Sequence, residues 1–238
     1  MEIAFFVPVL VVLLFSIVIH EVAHAFVARM EGDDTAERAG RITLNPIPHL
    51  DLWGSLIIPV GLLVSGSGLI FGWAKPVPVN PGNFDDYKWG DIRVSLAGIA
   101  SNLALAFLFT VVTGLLITVS SASGGAVPGG MDGGIGGGFG GLIDSELLAT
   151  ATSVAHFGIL INLILAVFNL APIPPLDGSH VMYHLLPREW ADTYRRLGRY
   201  GLIVLFLAVF FLPQTFDVLL WPVARLMDVA YGFIDLWA

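Results

Sequence analysis

Cysteine is absent from this sequence. That excludes disulfides, thiolate metal sites and cysteine nucleophiles together, so a metal could be held only by His, Asp or Glu. Charge is scarce as well. Only 13% of the 238 residues are charged against 56% hydrophobic, and the mean hydropathy is +0.82. A soluble domain has too much surface to carry so little charge, so the composition is that of a membrane protein. Basic residues are the rarer sign, 11 against 19 acidic, for a net charge of −8. Nucleic-acid binding therefore has no electrostatic footing. The Gly-rich tract at residues 120–141 holds no Lys or Arg and lacks the strand–loop–helix setting of a phosphate loop, so no nucleotide is expected. No cleavable signal peptide is expected either, because the first apolar run continues into a polar motif and not a small-residue cleavage site.

What is present is a set of long apolar runs, at about residues 3–30, 52–73, 92–119, 147–170 and 201–221. Each is long enough to reach across a bilayer. The second is interrupted by Pro59, Gly61, Gly66 and Gly68, and the fifth contains Pro213. Residues 40–44 read as a strand, and residues 75–81, with Pro76, Pro78 and Pro81, read as extended chain. The basic residues cluster after the first run (Arg29, Arg38, Arg41), before the third (Lys88, Arg93) and between the last two (Arg188, Arg195, Arg196, Arg199). By the positive-inside rule all three regions are cytoplasmic and the Gly-rich loop is outside.

The first run ends in His20-Glu21-Val22-Ala23-His24. On a helix, residues four apart share a face, so both imidazoles can reach one ion. Glu21 sits about 100° around the axis, able to touch a water at the metal without being a ligand. Two His and a Glu at membrane depth are costly to bury and need a reason. A zinc hydrolase needs a third ligand and an open position. Asp177 is the best candidate, carried on irregular backbone after Pro172, Pro174 and Pro175. Such backbone is tolerated at membrane depth only inside protein or beside a water-filled cavity. The competing constellation is His180 and His184, also four apart and close behind Asp177. His49 and Asp51 could orient a ligand, though Asp51 as a cap for the segment beginning at Leu52 is the simpler reading.

The HExxH motif, the Asn169-Leu170-Ala171-Pro172-Ile173-Pro174-Pro175-Leu176-Asp177-Gly178 pattern and Ala97-Gly98-Ile99-Ala100-Ser101-Asn102 together resemble the site-2 proteases, intramembrane zinc metalloproteases of M50 type. Ile99 stands where that family has Pro. Residues 40–51 and 71–80 are similar to the compact branch without PDZ or CBS domains. The resemblance implies one Zn2+ held by His20, His24 and Asp177, with Glu21 as catalytic base. It also implies that Asn102 faces the site, where it would bind the scissile carbonyl or stabilise the oxyanion.

For His20, His24 and Asp177 to meet at one depth, the first and fourth runs must be parallel, so the second must enter and return. The expected fold is therefore an all-α polytopic membrane domain over residues 1–238, with a core to about 186 and C-terminal helical segments at about 198–238. It has five or six hydrophobic segments, one of them re-entrant, and short extended or β segments near the site. The expected activity is peptide-bond hydrolysis in or near transmembrane segments of membrane-protein substrates, from the cell membrane, with the active site nearer the cytoplasm. The alternatives are a metal or ion transporter, which inverted repeats would favour and none is visible, and a non-catalytic binding module, against which the intact Glu21 argues.

Overall fold

The computed structural model describes residues 3–64, 74–122, 145–201 and 213–236. Its elements are helices, in the order α1 (Ile3–Met30), α2 (Thr35–Arg38), α3 (Ile58–Val64), α4 (Tyr87–Ala122), α5 (Ser145–Leu170), α6 (Gly178–Leu185), α7 (Arg188–Leu197) and α8 (Pro213–Ile234). A wide helical turn, Leu52–Ile57, leads into α3. Three helical stretches, Val7–Met30, Tyr87–Ser121 and Glu146–Leu170, are long and apolar enough to cross a membrane. They correspond to the first, third and fourth apolar runs.

These helices expose large apolar side chains that water would not tolerate in such number, among them Phe26, Leu103, Phe107 and Leu108. In a bilayer those faces meet lipid, and helices are favoured because every backbone polar group can be satisfied within the segment. Their polar side chains follow the same rule. Thr110, Thr113 and Thr152 donate to the carbonyls of Ala106, Phe109 and Leu148 one turn back, and Asn169 donates to Leu165.

The chain packs as two units. One comprises Met1–Leu13, Leu103–Ile164 and Leu220–Ala238. Val9, Ala106, Ala155, Ile159, Leu163, Val223 and Ile234 are buried in it. The other comprises Leu14–Asn102 and Leu165–Leu219. Every expected site residue falls in this second unit. There α1 and α4 share a cluster of Ala28, Val94 and Phe84, with Val27 and Val79 packed against it.

Residues 75–80 form no helix, and Asn80 has extended dihedral angles, but the strand expected at 40–44 is not formed, and no strand occurs among the described residues. The reason lies in hydrogen bonding. Pro76 and Pro78 have no N–H to offer a ladder. The N–H groups of Lys75, Val77 and Asn80 go to the His49 carbonyl, the Glu21 carboxylate and the Asp33 carboxylate. Residues 75–80 are thus a strap tied down by side chains. At the other candidate partner, the N–H groups of Gly40 and Arg41 turn back to Glu37 and Ala36. The return of the second run involves residues 65–73, and most of the fifth run involves residues 202–212; both lie outside the described residues, as does the Gly-rich tract from 123 on. Pro213 is the first described residue of α8.

Candidate metal centre

His20 and His24 stand one turn apart near the C-terminal end of α1, with Nε2 atoms 3.0 Å from each other. Asp177 is the residue immediately before α6, where the Pro-rich stretch after α5 ends. Its Oδ2 lies 3.2 Å from His20 Nε2 and 3.3 Å from His24 Nε2. Gly178 makes this approach feasible: a Cβ there would run into the carbonyls of Leu170 and Ala171. Among the described residues, His20, His24 and Asp177 are the one group of three that brings metal-ligating atoms within 4.8 Å of one another.

Both imidazoles are held from behind by α4. Asn102 Oδ1 lies 2.6 Å from His20 Nδ1, and the Val94 carbonyl lies 2.7 Å from His24 Nδ1. Both partners accept, so both Nδ1 atoms carry the proton and both Nε2 lone pairs are left facing inward. They face each other and Asp177 Oδ2, a buried oxygen that accepts no hydrogen bond. Three acceptors converging without a donor would repel. Two imidazolium ions at this separation would repel as well, in a site where His20 and His24 are 7% and 9% exposed. A divalent cation resolves the conflict, and two nitrogens with one carboxylate are a donor set suited to zinc. The residues fit the ion.

Gly98 of α4 lies directly against these rings. A Cβ on it would stand 2.6 Å from His20 Cε1 and 2.7 Å from His20 Nε2, and closer still to His24 Nε2. Val94, Gly98 and Asn102 recur every four residues and therefore form one stripe of the helix. The Gly-x-x-x-Asn spacing seen in the sequence is the spacing needed to back two imidazoles one turn apart.

Glu21 is not a member of the ligand group. Its Oε2 accepts from the Val77 N–H at 2.8 Å, so the carboxylate is tied to the strap. The strap is pinned on both sides. Arg41, itself buried, donates to the Lys75 carbonyl at 2.6 Å, and Asn80 N–H donates to Asp33 at 2.7 Å. Asp33 is fully buried and also accepts from Thr35 N–H, the Thr35 hydroxyl and Asn83. Burial alone would raise its pKa, but these hydrogen bonds, that of Asn80 foremost, hold it below the ordinary carboxylate value.

The M50 peptidase model matches residues 8–212. The chain belongs to peptidase family M50. This M50 chain is 38% identical to "Putative zinc metalloprotease YwhC" of Bacillus subtilis (strain 168) over 219 residues, 90% of the chain and 85% of that protein. It is 30% identical to "Putative zinc metalloprotease Rip2" of Mycolicibacterium smegmatis (strain ATCC 700084 / mc(2)155) over 200 residues, 81% of the chain and 61% of that protein. No solved structure matches it. Family membership and the apolar helices make it a membrane metalloprotease, and the family implies zinc.

The remaining candidates of this M50 peptidase take other places. His180 and His184 both turn to Asp91 of α4 and not to the metal group. His49 is fully buried, with Nε2 donating to the Thr43 carbonyl at 3.0 Å. Burial, with Arg41 nearby, holds its pKa below the ordinary value in spite of that bond, so the ring is neutral, and it is not a member of the metal group. Asp51 accepts from the N–H groups of Trp53 and Gly54, the capping role. Asn102, expected to face substrate, is fully buried with its amide oxygen committed to His20. Sequence reasoning passed over Asp33, Asp91 and the Val94 carbonyl. Asp33 had a signal, since Asp two residues before Thr in a Gly-containing turn is a common side-chain clip. The Val94 carbonyl had none, because every residue carries one.

Proposed function

We propose that this M50 peptidase hydrolyses peptide bonds within or beside the transmembrane segments of membrane-protein substrates, with one zinc ion on His20, His24 and Asp177. The observation that carries this reading is the convergence of two lone-pair nitrogens and an undonated carboxylate oxygen on one buried point. A bound zinc would supply a Lewis acid that polarises a carbonyl and acidifies water.

The residues of the chain do the rest. Asn102 and the Val94 carbonyl keep the two imidazoles in the tautomer that points Nε2 inward. Glu21 accepts a proton from the attacking water at a carboxylate oxygen and returns it to the leaving nitrogen. Its tether to Val77 couples the base to the strap, and an unwound substrate segment adds beside the strap through its remaining main-chain groups, the N–H groups of Lys75, Val77 and Asn80 being already bound. Unwinding is required because a helix hides its carbonyls in its own hydrogen bonds. Asn102 serves this reaction as a positioning residue for His20. The enzyme sits in the cell membrane with its site towards the cytoplasm, and water reaches the site from that side.

Two variants of the full chain test the reading. Glu21→Gln keeps the shape and loses the base, so it should retain zinc by elemental analysis and lose cleavage of a model transmembrane substrate. Asp177→Ala should lose both. Zinc loss in Glu21→Gln would place Glu21 among the ligands, and full zinc in Asp177→Ala would remove Asp177 from them.

A further inference from the structure

The stripe of α4 that backs the histidines continues one turn towards its N-terminus, to Asp91, three residues before Val94. Asp91 is 4% exposed, and its carboxylate takes both histidines of α6. His180 Nδ1 lies 3.1 Å from Oδ1 and His184 Nε2 lies 2.8 Å from Oδ2. The His184 ring is buried, boxed by Tyr87 and Tyr183 at centroid distances of 5.6 and 5.0 Å. Nothing in the hydrolytic reading uses this cluster, and its ligand atoms do not close on a common point as those of the metal group do.

Its position gives it a use. His20 and His24 are each oriented by a hydrogen bond that the ring donates to α4. Asp177 has no such support at Oδ2, so its aim is set by its backbone. That backbone leads directly into α6, which has eight residues and is too short to be stable by itself. His180 N–H bonds the Asp177 carbonyl at 3.0 Å, and Ser179 N–H bonds that of Leu176 at 2.9 Å, so the first turn of α6 and Asp177 move together. Whatever holds α6 to α4 holds Asp177 to the site.

We propose that Asp91 is the positioning residue for the third metal ligand. Its buried carboxylate clamps both histidines of α6 onto α4, and so sets Asp177 against His20 and His24. One stripe of α4 then supports all three ligands: Asn102 for His20, Val94 for His24, and Asp91, through α6, for Asp177. The inference rests on the zinc-hydrolase reading above.

The test uses the purified full chain in detergent and Co2+ as the probe. Affinity is read by chelator competition and ligand geometry by the visible spectrum, for wild type, Asp91→Ala, Asp91→Asn and Asp177→Ala. Asp91→Ala should weaken Co2+ binding roughly ten- to a hundredfold, the range for losing a partner behind a metal ligand. Its spectrum should move towards that of Asp177→Ala. Asp91→Asn, which keeps the shape and one accepting oxygen, should fall between Asp91→Ala and wild type. A purely structural Asp91 would lower the thermal midpoint of the metal-free chain and leave the cobalt spectrum as in wild type, and that result overturns the proposal. If Asp91→Ala does not fold, Asp91→Asn decides alone: a wild-type spectrum and affinity there overturn it. Wild-type cobalt binding by Asp177→Ala is a separate outcome. It would remove the third ligand from the zinc reading, and the inference with it.

Discussion

Replacing Gly98 by alanine adds one methyl group where the structure has room for none. The new carbon would stand 2.6–2.7 Å from the His20 ring, whereas ordinary contact begins near 3.4 Å, so the imidazole must retreat by about 0.8 Å. Two things prevent a harmless retreat. His20 is held at Nδ1 by Asn102 and His24 by the Val94 carbonyl, both on the same helix as the new methyl. A metal site tolerates ligand displacements of only about 0.2 Å. Zinc affinity should therefore fall at least as far as when a supporting hydrogen bond is lost, roughly ten- to a hundredfold. The helix itself should not suffer, because alanine is favoured over glycine in a helix by about 1 kcal/mol. The assay is zinc competition against a calibrated chelator, with circular dichroism to confirm helix content. Gly158→Ala is the control. It presses on the Phe109 ring in the other packing unit and should lower thermal stability without changing zinc affinity. Wild-type zinc affinity in Gly98→Ala would mean that the rings are not fixed from behind, and the tautomer reasoning would fail.

Asn102→Leu removes the acceptor at His20 Nδ1 and should weaken zinc binding roughly tenfold or more, measured by the same competition, while Asn102→Asp should keep it because a carboxylate also accepts. Asp33→Ala releases the strap at Asn80, at a cost on the order of 3 kcal/mol of local stability, and should speed hydrogen exchange at Asn80. Because the folded pKa of Asp33 is depressed, its contribution is fully present above the unfolded value of about 3.9 and is lost as pH falls through the lower folded value, so the protection of the Asn80 N–H relative to its intrinsic exchange rate should fall only in acid. Single cysteines placed at Arg38 and Lys88 should both react with an impermeant thiol reagent from the cytoplasmic side; labelling from opposite sides would reject a re-entrant second run.

The chemistry at each candidate metal ligand was legible in the sequence because it is local. A four-residue spacing puts two imidazoles on one helix face whatever surrounds the helix. Three prolines must break a helix wherever they occur, which marked Asp177 as a carboxylate on irregular backbone. The apolar runs for α1, α4 and α5 were equally plain, since bilayer thickness sets their length. What only the tertiary structure decided was pairing across long separations. The bond from Glu21 to Val77 spans 56 residues, that from His24 to Val94 spans 70, and that from His184 to Asp91 spans 93. No periodicity encodes such partners, and one of them is a backbone carbonyl that any residue would supply. The expected strand at residues 40–44 failed for the same reason. Strand propensity is local, but a ladder needs a partner, and the strap had already committed its N–H groups to Glu21, Asp33 and the His49 carbonyl. Asn102 shows the two levels together: its residue type and spacing were visible in the chain, whereas whether its amide met substrate or histidine depended on where α4 lay against α1.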